Sequence, residues 1–303
     1  MAARRASVTP LAAAALIEPA FAKINLTLRV IGRRADGYHN LESLVCFATL
    51  SDRVELRVGA PFELRVSGPT AEQAGATGEN LVLVAANALQ RKVKKLKVGR
   101  FSLVKRLPVG AGLGGGSADA AAALRLLAKA NGLKVADPRL LAAARETGSD
   151  VPVCLEPRTR WMRGTGDVLS APVEMPRLFA VLAYPALALA TRDVFRELAA
   201  PKNAARGGRS PALPTTGMEF VAFVTERGND LEAPAMRLAP IIADVLAILR
   251  EQPACVLARM SGSGSTCFGI FPTRNAALAA ARAVNEVHSM WWVRTTELGV
   301  DRE

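Results

Sequence analysis

The sequence predicts an α+β protein of two domains. Three observations point there. The chain has 303 residues, more than one domain of ordinary size holds. Its strand-like segments cluster and helical stretches follow, without a regular strand–helix alternation. Between a strand and an alanine-rich helix stands RLPVGAGLGGGSADAAAALRLL (106–127), with five glycines between positions 110 and 116.

The elements follow in order. Two early arginines, an apolar run from Leu11 to Ile17 and Ala-Phe-Ala at 20–22 imitate a secretory leader. Glu18 and Pro19 interrupt the run, so residues 1–20 are expected to be a disordered extension. No stretch approaches the ~20 apolar residues a membrane helix needs. From 24 to 30, Ile24, Leu26, Leu28 and Val30 alternate with Asn25, Thr27 and Arg29. This is a half-buried strand, with Lys23 and Asn25 on its polar face. GRRADGYHN (32–40) reads as a loop, and strands are expected near 41–50, 53–58 and 62–66. Asn80 caps a helix to about Lys95, and RFSLVK (101–105 and its preceding arginine) is the strand leading into the glycines. Ser117 can cap a helix to Ala130. Asp137 before Pro138 starts another, to Thr147. GSDVPVCLEP breaks the pattern, RWMRGTGDVL is hairpin-like, and LFAVLAYP is a strand near 178–184. Residues 200–217 read as a surface insertion rich in Pro and Gly. Helices near 218–227 and 240–251 precede a strand, glycine turn and strand in CVLARMSGSGSTCFGIF. A helix at 274–287 and a strand at 290–296 close the chain. The domain seam is expected near residue 175.

The 39 basic and 27 acidic residues leave a net charge of +12. That balance raises the nucleic-acid reading. However, the one dense basic run is Arg91-Lys92-Val93-Lys94-Lys95, and aromatics are only 5% of the chain, too few to supply stacking platforms. The surplus is read as solvated surface with attraction for small polyanions, and neither nucleic acid nor membrane is an expected partner. Four isolated cysteines without a C-x-x-C, and only two histidines, argue against zinc and a disulfide framework and for a reducing compartment.

Glycines let backbone N–H groups approach an anion, and a following helix adds free N–H groups and partial positive charge. Phosphate binding is therefore the expected use of the loop. Gly110-x-Gly112-x-x-Gly115 matches a dinucleotide fingerprint in form. The acidic residue required ~20 positions on falls near Val135, just before the helix cap at Asp137. A Walker loop fails as well, because no lysine follows the glycines. Ser117 is left as helix cap, phosphate contact or magnesium ligand.

LPVGAGLGGGSADAAAAL resembles the phosphate loop of the GHMP kinases. FAKINLTLRVIGRRADGYHNLESL (21–44), GSDVPVC (148–154), NDLE (229–232) and MSGSGSTCFGIF (260–271) resemble further motifs of that family. The DGYH segment is similar to the branch that acts on a cytidine-diphosphate derivative of methylerythritol. The resemblance implies a mixed-sheet ATP-binding domain over 21–175 and a ferredoxin-like α/β sandwich over 176–303. It also implies a cytoplasmic bacterial kinase that uses ATP and Mg²⁺ to phosphorylate that substrate's tertiary 2-hydroxyl in isoprenoid precursor synthesis. Asp150 matches the general base and Lys23 its partner. The chemistry suits them: a carboxylate accepts the proton of a hindered alcohol as the phosphoryl group arrives, and the lysine offsets growing charge. Pro108, Val109, Gly110, Ala111, Gly112, Leu113, Gly114, Gly115, Gly116, Ser117 and Ala118 would hold ATP, with Ser117 also the magnesium candidate. Asn25, Tyr38, His39 and Phe195 would line the cytidine and erythritol pocket, Tyr38 and Phe195 on the two faces of the base and His39 at its edge. Another GHMP kinase with a different small acceptor is the nearest alternative, and a basic nucleic-acid binder the distant one.

Overall fold

A computed structural model describes residues 15–75, 77–198 and 211–300. Leu16–Asn25 (β1) and Arg29–Arg33 (β2) pair antiparallel along one edge of His39–Val58 (β3). Leu64–Ser67 (β4) adds to the sheet through Gly99–Val104 (β5), after the helix Leu81–Lys92 (α1). Three helices follow: Gly115–Ala130 (α2), Pro138–Thr147 (α3) and Val151–Leu155 (α4). The hairpin Arg160–Gly164 (β6) and Val168–Leu169 (β7) returns to β3. Leu178–Tyr184 (β8) opens the second half, followed by Thr191–Glu197 (α5), Gly217–Arg227 (α6), Glu232–Leu238 (α7) and Ile241–Glu251 (α8). Leu257–Met260 (β9), Cys267–Phe271 (β10), Arg274–Val287 (α9) and Trp292–Leu298 (β11) complete it.

The strand path is β4-β5-β3-β11-β8-β10-β9. Its last four members arise in the chain as strand, helices, two strands, helix and strand, the split βαβ arrangement of a ferredoxin-like unit. The twenty residues of β3 form the spine. One edge carries β2 and β1, and the other carries β6, β11 (Leu298 opposite Ala48) and β5. Three apolar cores result. One lies under α1–α4 (Leu56, Leu89, Phe101, Leu124), one under α7–α9 (Ile242, Leu246, Met260, Val284). A third, with Ile24, Leu44, Trp161, Leu182, Phe220 and Phe268, joins the halves. In α2, Ala120, Ala121, Ala122 and Ala123 are all buried, and their small side chains let the helix lie close against its neighbours.

Local signals set several boundaries. Asn80 accepts a hydrogen bond from the Val82 N–H and Asp137 one from the Arg139 N–H, each capping the expected helix. Other expectations change. Residues 16–20, placed in the extension, are strand, because β3 is long enough to pair them with Asp52–Leu56. Residues 1–14 and 200–210 lie outside the described residues. The separate strands expected at 41–50 and 53–58 are one strand. The stretch after Gly148, read as a break, contains α4, and α5 and α7 carry no sequence pattern that announced them. Lys23, Asn25 and Thr27 are buried rather than half exposed, since the loop before α2 and the turn after β9 close over that face. Among the described residues no helix is long and apolar enough to cross a membrane.

Candidate active site

The glycine loop is held from two sides. The Lys23 N–H donates to the Leu113 carbonyl (2.8 Å) and the Thr266 N–H to that of Ala111 (3.1 Å). The Ser261 hydroxyl donates to the Gly112 carbonyl (3.2 Å) and accepts from the Asn25 N–H. Gly114 has φ +61°, and a Cβ there would sit 3.1 Å from Lys23 Cε. Gly112 has φ +77°, and its Cβ would lie 2.7 Å from both the Gly264 and Ser261 carbonyl oxygens. The loop therefore locks into the second glycine turn, backbone on backbone.

Gly114, not Ser117, is the residue at which α2 opens. The left-handed backbone at 114 starts the helix early and makes Ser117 its third residue, on the cleft wall. Gly115, Gly116 and Ser117 consequently present first-turn N–H groups without intrahelical acceptors. Ala118 is different: its N–H donates to the Gly114 carbonyl (2.8 Å) and its side chain is buried. Leu113 is also turned into the core. The other expected loop residues, Pro108 to Gly112 and Gly114 to Ser117, line a cleft of about 1380 Å³.

Lys23 and Asp150 meet in this cleft, Nζ to Oδ2 at 2.7 Å. The register between β1 and β3 shifts between Phe21 and Lys23, with two extra residues on β3, beside the point where Lys23 meets the cleft. Asp150 precedes α4 but makes no capping bond with its side chain, which turns to Lys23 instead. Lys23 is buried, whereas the Asp150 side chain is 32% exposed and open to a substrate.

Asn25, Tyr38, His39 and Phe195 line the same cleft. Asn25 donates to the Ser43 hydroxyl (2.7 Å), and its buried Oδ1 has no protein partner. Tyr38 is 67% exposed. The His39 ring stacks on Phe195 with centroids 5.0 Å apart, so Phe195 already has an aromatic neighbour other than Tyr38. Partial burial, then the nearby Arg33 charge, lower the His39 pKa from its ordinary value. The ring is therefore neutral at pH 7 and able both to donate and to accept.

The sequence reading missed a buried triad beneath the loop. Lys105 Nζ donates to Asp52 Oδ2 (2.5 Å) and Asp119 Oδ2 (2.8 Å). Asp52 Oδ1 accepts the Arg106 and Leu107 N–H groups at 2.5 and 2.9 Å. Burial raises the Asp119 pKa against the pull of Lys105, and its Oδ1 is without a partner. These residues lie 53 and 14 positions apart, so no local spacing reveals them. NDLE resembles a family motif, and its structural purpose appears only in the fold. Asn229 donates to the Met260 and Gly262 carbonyls, Asp230 accepts the Val30 N–H, and Glu232 accepts the Met260 N–H. Together they fasten the second glycine turn to β2.

The donor set suits a magnesium ion carried by a nucleotide rather than one caged by protein. Among the described residues no group of three or more His, Cys, Asp or Glu could hold a metal. Ser117 presents one hydroxyl on the wall, and Mg²⁺ typically takes few protein ligands beside phosphate oxygens and water.

Residues 80–156 match the model of the GHMP kinases N terminal domain, and 220–289 that of the GHMP kinases C terminal. A 4-diphosphocytidyl-2-C-methyl-D-erythritol kinase of Xanthobacter autotrophicus is 55% identical over 283 residues, 91% of this chain and 97% of that protein. One from Nitrobacter winogradskyi is 49% identical over 95% of this chain and 96% of its own. A crystal structure of 4-(cytidine 5'-diphospho)-2C-methyl-D-erythritol kinase superposes with a TM-score of 0.74 at 34% identity, covering 94% of this chain and all of that one. A homoserine kinase from Cytophaga hutchinsonii, at 19% identity and TM-score 0.66, shares the fold.

Proposed function

This chain belongs to the 4-diphosphocytidyl-2-C-methyl-D-erythritol kinases of the GHMP family, and from that premise we propose how its own residues carry out the transfer. The enzyme is an ATP-dependent small-molecule kinase of isoprenoid precursor synthesis. In our reading it phosphorylates the 2-hydroxyl of the cytidine-diphosphate alcohol, giving the 2-phosphate and ADP, in the cytoplasm. The observation that carries this reading is the 2.7 Å Lys23–Asp150 pair on the wall of the cleft that also holds the first turn of α2.

Asp150 accepts the hydroxyl proton at its exposed carboxylate, and Lys23 orients that carboxylate and offsets charge developing on the transferred group. The N–H groups of Gly115 to Ser117 and the positive end of α2 hold the nucleotide phosphates. Magnesium, when bound with ATP, screens phosphate charge, with Ser117 as its protein ligand. Asn25, anchored by its hydrogen bond to Ser43, borders the part of the cleft that takes the alcohol. Residues 21–175 serve as the nucleotide-binding domain and 176–303 as the domain that closes the loop and supplies Phe195.

With Mg²⁺ and ATP, purified protein should release ADP only when the cytidine-diphosphate alcohol is present. Equal release with galactose, homoserine or mevalonate sinks the substrate assignment. A second expectation concerns pH. Because the His39 pKa is lowered, its imidazole is neutral from pH 7 upward and protonates only as pH falls below its ordinary value of 6.5. Substrate affinity measured by calorimetry should be flat above pH 7 and weaken only as pH falls below the ordinary value of 6.5, as the imidazolium loses its acceptor. His39→Asn should remove that dependence. An unchanged profile in this variant excludes His39 from recognition of the base.

A further inference from the structure

We propose that Lys105, Asp52 and Asp119 are positioning residues that clamp the two ends of the glycine loop together and so set its affinity for nucleotide phosphates. The inference rests on the reading that this loop holds ATP. Asp52, on β3, fixes the start of the loop by accepting the Arg106 and Leu107 N–H groups. Asp119, in the second turn of α2, fixes its end. Lys105 bridges the two carboxylates, and all three side chains are at most 3% exposed. A Cβ at Gly115 would stand 3.4 Å from Lys105 Nζ, which places the ammonium directly under the first helical residue of the loop. None of the three lines the cleft, so they act through the backbone they hold.

The position of the triad argues for this role over simple stabilisation. Buried ion clusters add little net stability relative to apolar packing, because desolvation offsets their attraction. They do specify geometry, since each charge has one satisfactory arrangement of partners. Here that arrangement fixes the separation between strand end and helix start, across which the loop is strung. Phosphate N–H contacts depend steeply on position, so a loosened clamp weakens nucleotide binding before it changes the proton transfer at Asp150.

Asp119→Ala tests this directly, because Asp52 still neutralises Lys105. The KM for ATP should rise about tenfold, with kcat and the KM for the alcohol within about twofold. Calorimetric ADP affinity should fall in parallel. Asp119→Asn, which keeps an acceptor for Lys105, should restore most of the ATP affinity. If Asp119→Ala does not fold by circular dichroism, Lys105→Met combined with Asp52→Asn and Asp119→Leu removes all three charges and carries the same expectation. An unchanged KM for ATP in either folded variant overturns the proposal. So does a fall in kcat tracking the folded fraction with both KM values unmoved. If the wild-type protein does not bind ATP, the reading of the loop fails. If it binds ATP, and Gly112→Ala weakens binding while the clamp variants do not, only the clamp is lost.

Discussion

Replacing Asp150 by Asn should lower kcat by about 10²–10⁴-fold, the usual range for removing a general base, with ATP affinity nearly unchanged. The geometry separates the two effects. Asp150 stands opposite Lys23 and makes no bond to the glycine loop or to the α4 backbone, so the isosteric amide disturbs neither. Its 32% exposure also limits any cost to stability. Lys23 still finds an oxygen in the amide, so the pair stays in place while the proton acceptor is lost. The measurement is single-turnover phosphoryl transfer beside calorimetric ADP binding. Turnover within about threefold of wild type removes Asp150 from the proton transfer and leaves it a positioning role. A variant that also loses ADP binding shows instead that the carboxylate supports the loop.

The other large effect is expected at Gly112. An alanine there must adopt φ +77° and place its Cβ 2.7 Å from two carbonyl oxygens, neither on a movable side chain. The left-handed backbone costs about 1–2 kcal/mol and the overpacking about 1–3 kcal/mol. A loss of about 2–5 kcal/mol lowers Tm by roughly 3–8 °C for a chain of this size. Because the opposing oxygens belong to Ser261 and Gly264, relief requires the two glycine segments to separate, and ATP binding should weaken with stability. Gly132→Ala is the control. It also has a positive φ, +65°, but nothing lies within 4 Å of its Cβ, so only the backbone term remains. Equal melting temperatures for the two variants would mean that the loops are not interlocked.

Both expectations show what was legible in the chain. Where one residue acts on its immediate neighbours, sequence sufficed: Asn80 and Asp137 cap as expected, and the apolar run of β8 begins and ends where it was placed. Lys23 and Asp150 are 127 positions apart, and only a family resemblance linked them before the fold did. Burial of polar residues was the main loss. Strict alternation in Asn25 and Thr27 reads as a solvated face, because pattern cannot show a second glycine turn arriving from residue 261. Lys105 looked like an ordinary charge at a strand end. Its partners come from β3 and α2, and their convergence exists only in three dimensions. Of the three uses open to Ser117, only the cap is overturned, and for the opposite reason: serine is a common cap, but three successive glycines allow the helix to begin sooner.

The place of β11 in the sheet has a consequence for the order of assembly. Trp292–Leu298 lies between β3 and β8, with Leu298 opposite Ala48, 250 positions earlier. During synthesis the first half can form its hairpins and helices from local partners. The strand that bridges it to the second half is made after both of its neighbours. Until then the inner edges of β3 and β8 lack the partner that joins them, and both present unpaired backbone groups. Joining the two halves therefore needs a strand inserted between two earlier ones, a long-range closure that is slow by topology and exposed to mispairing while the gap is open.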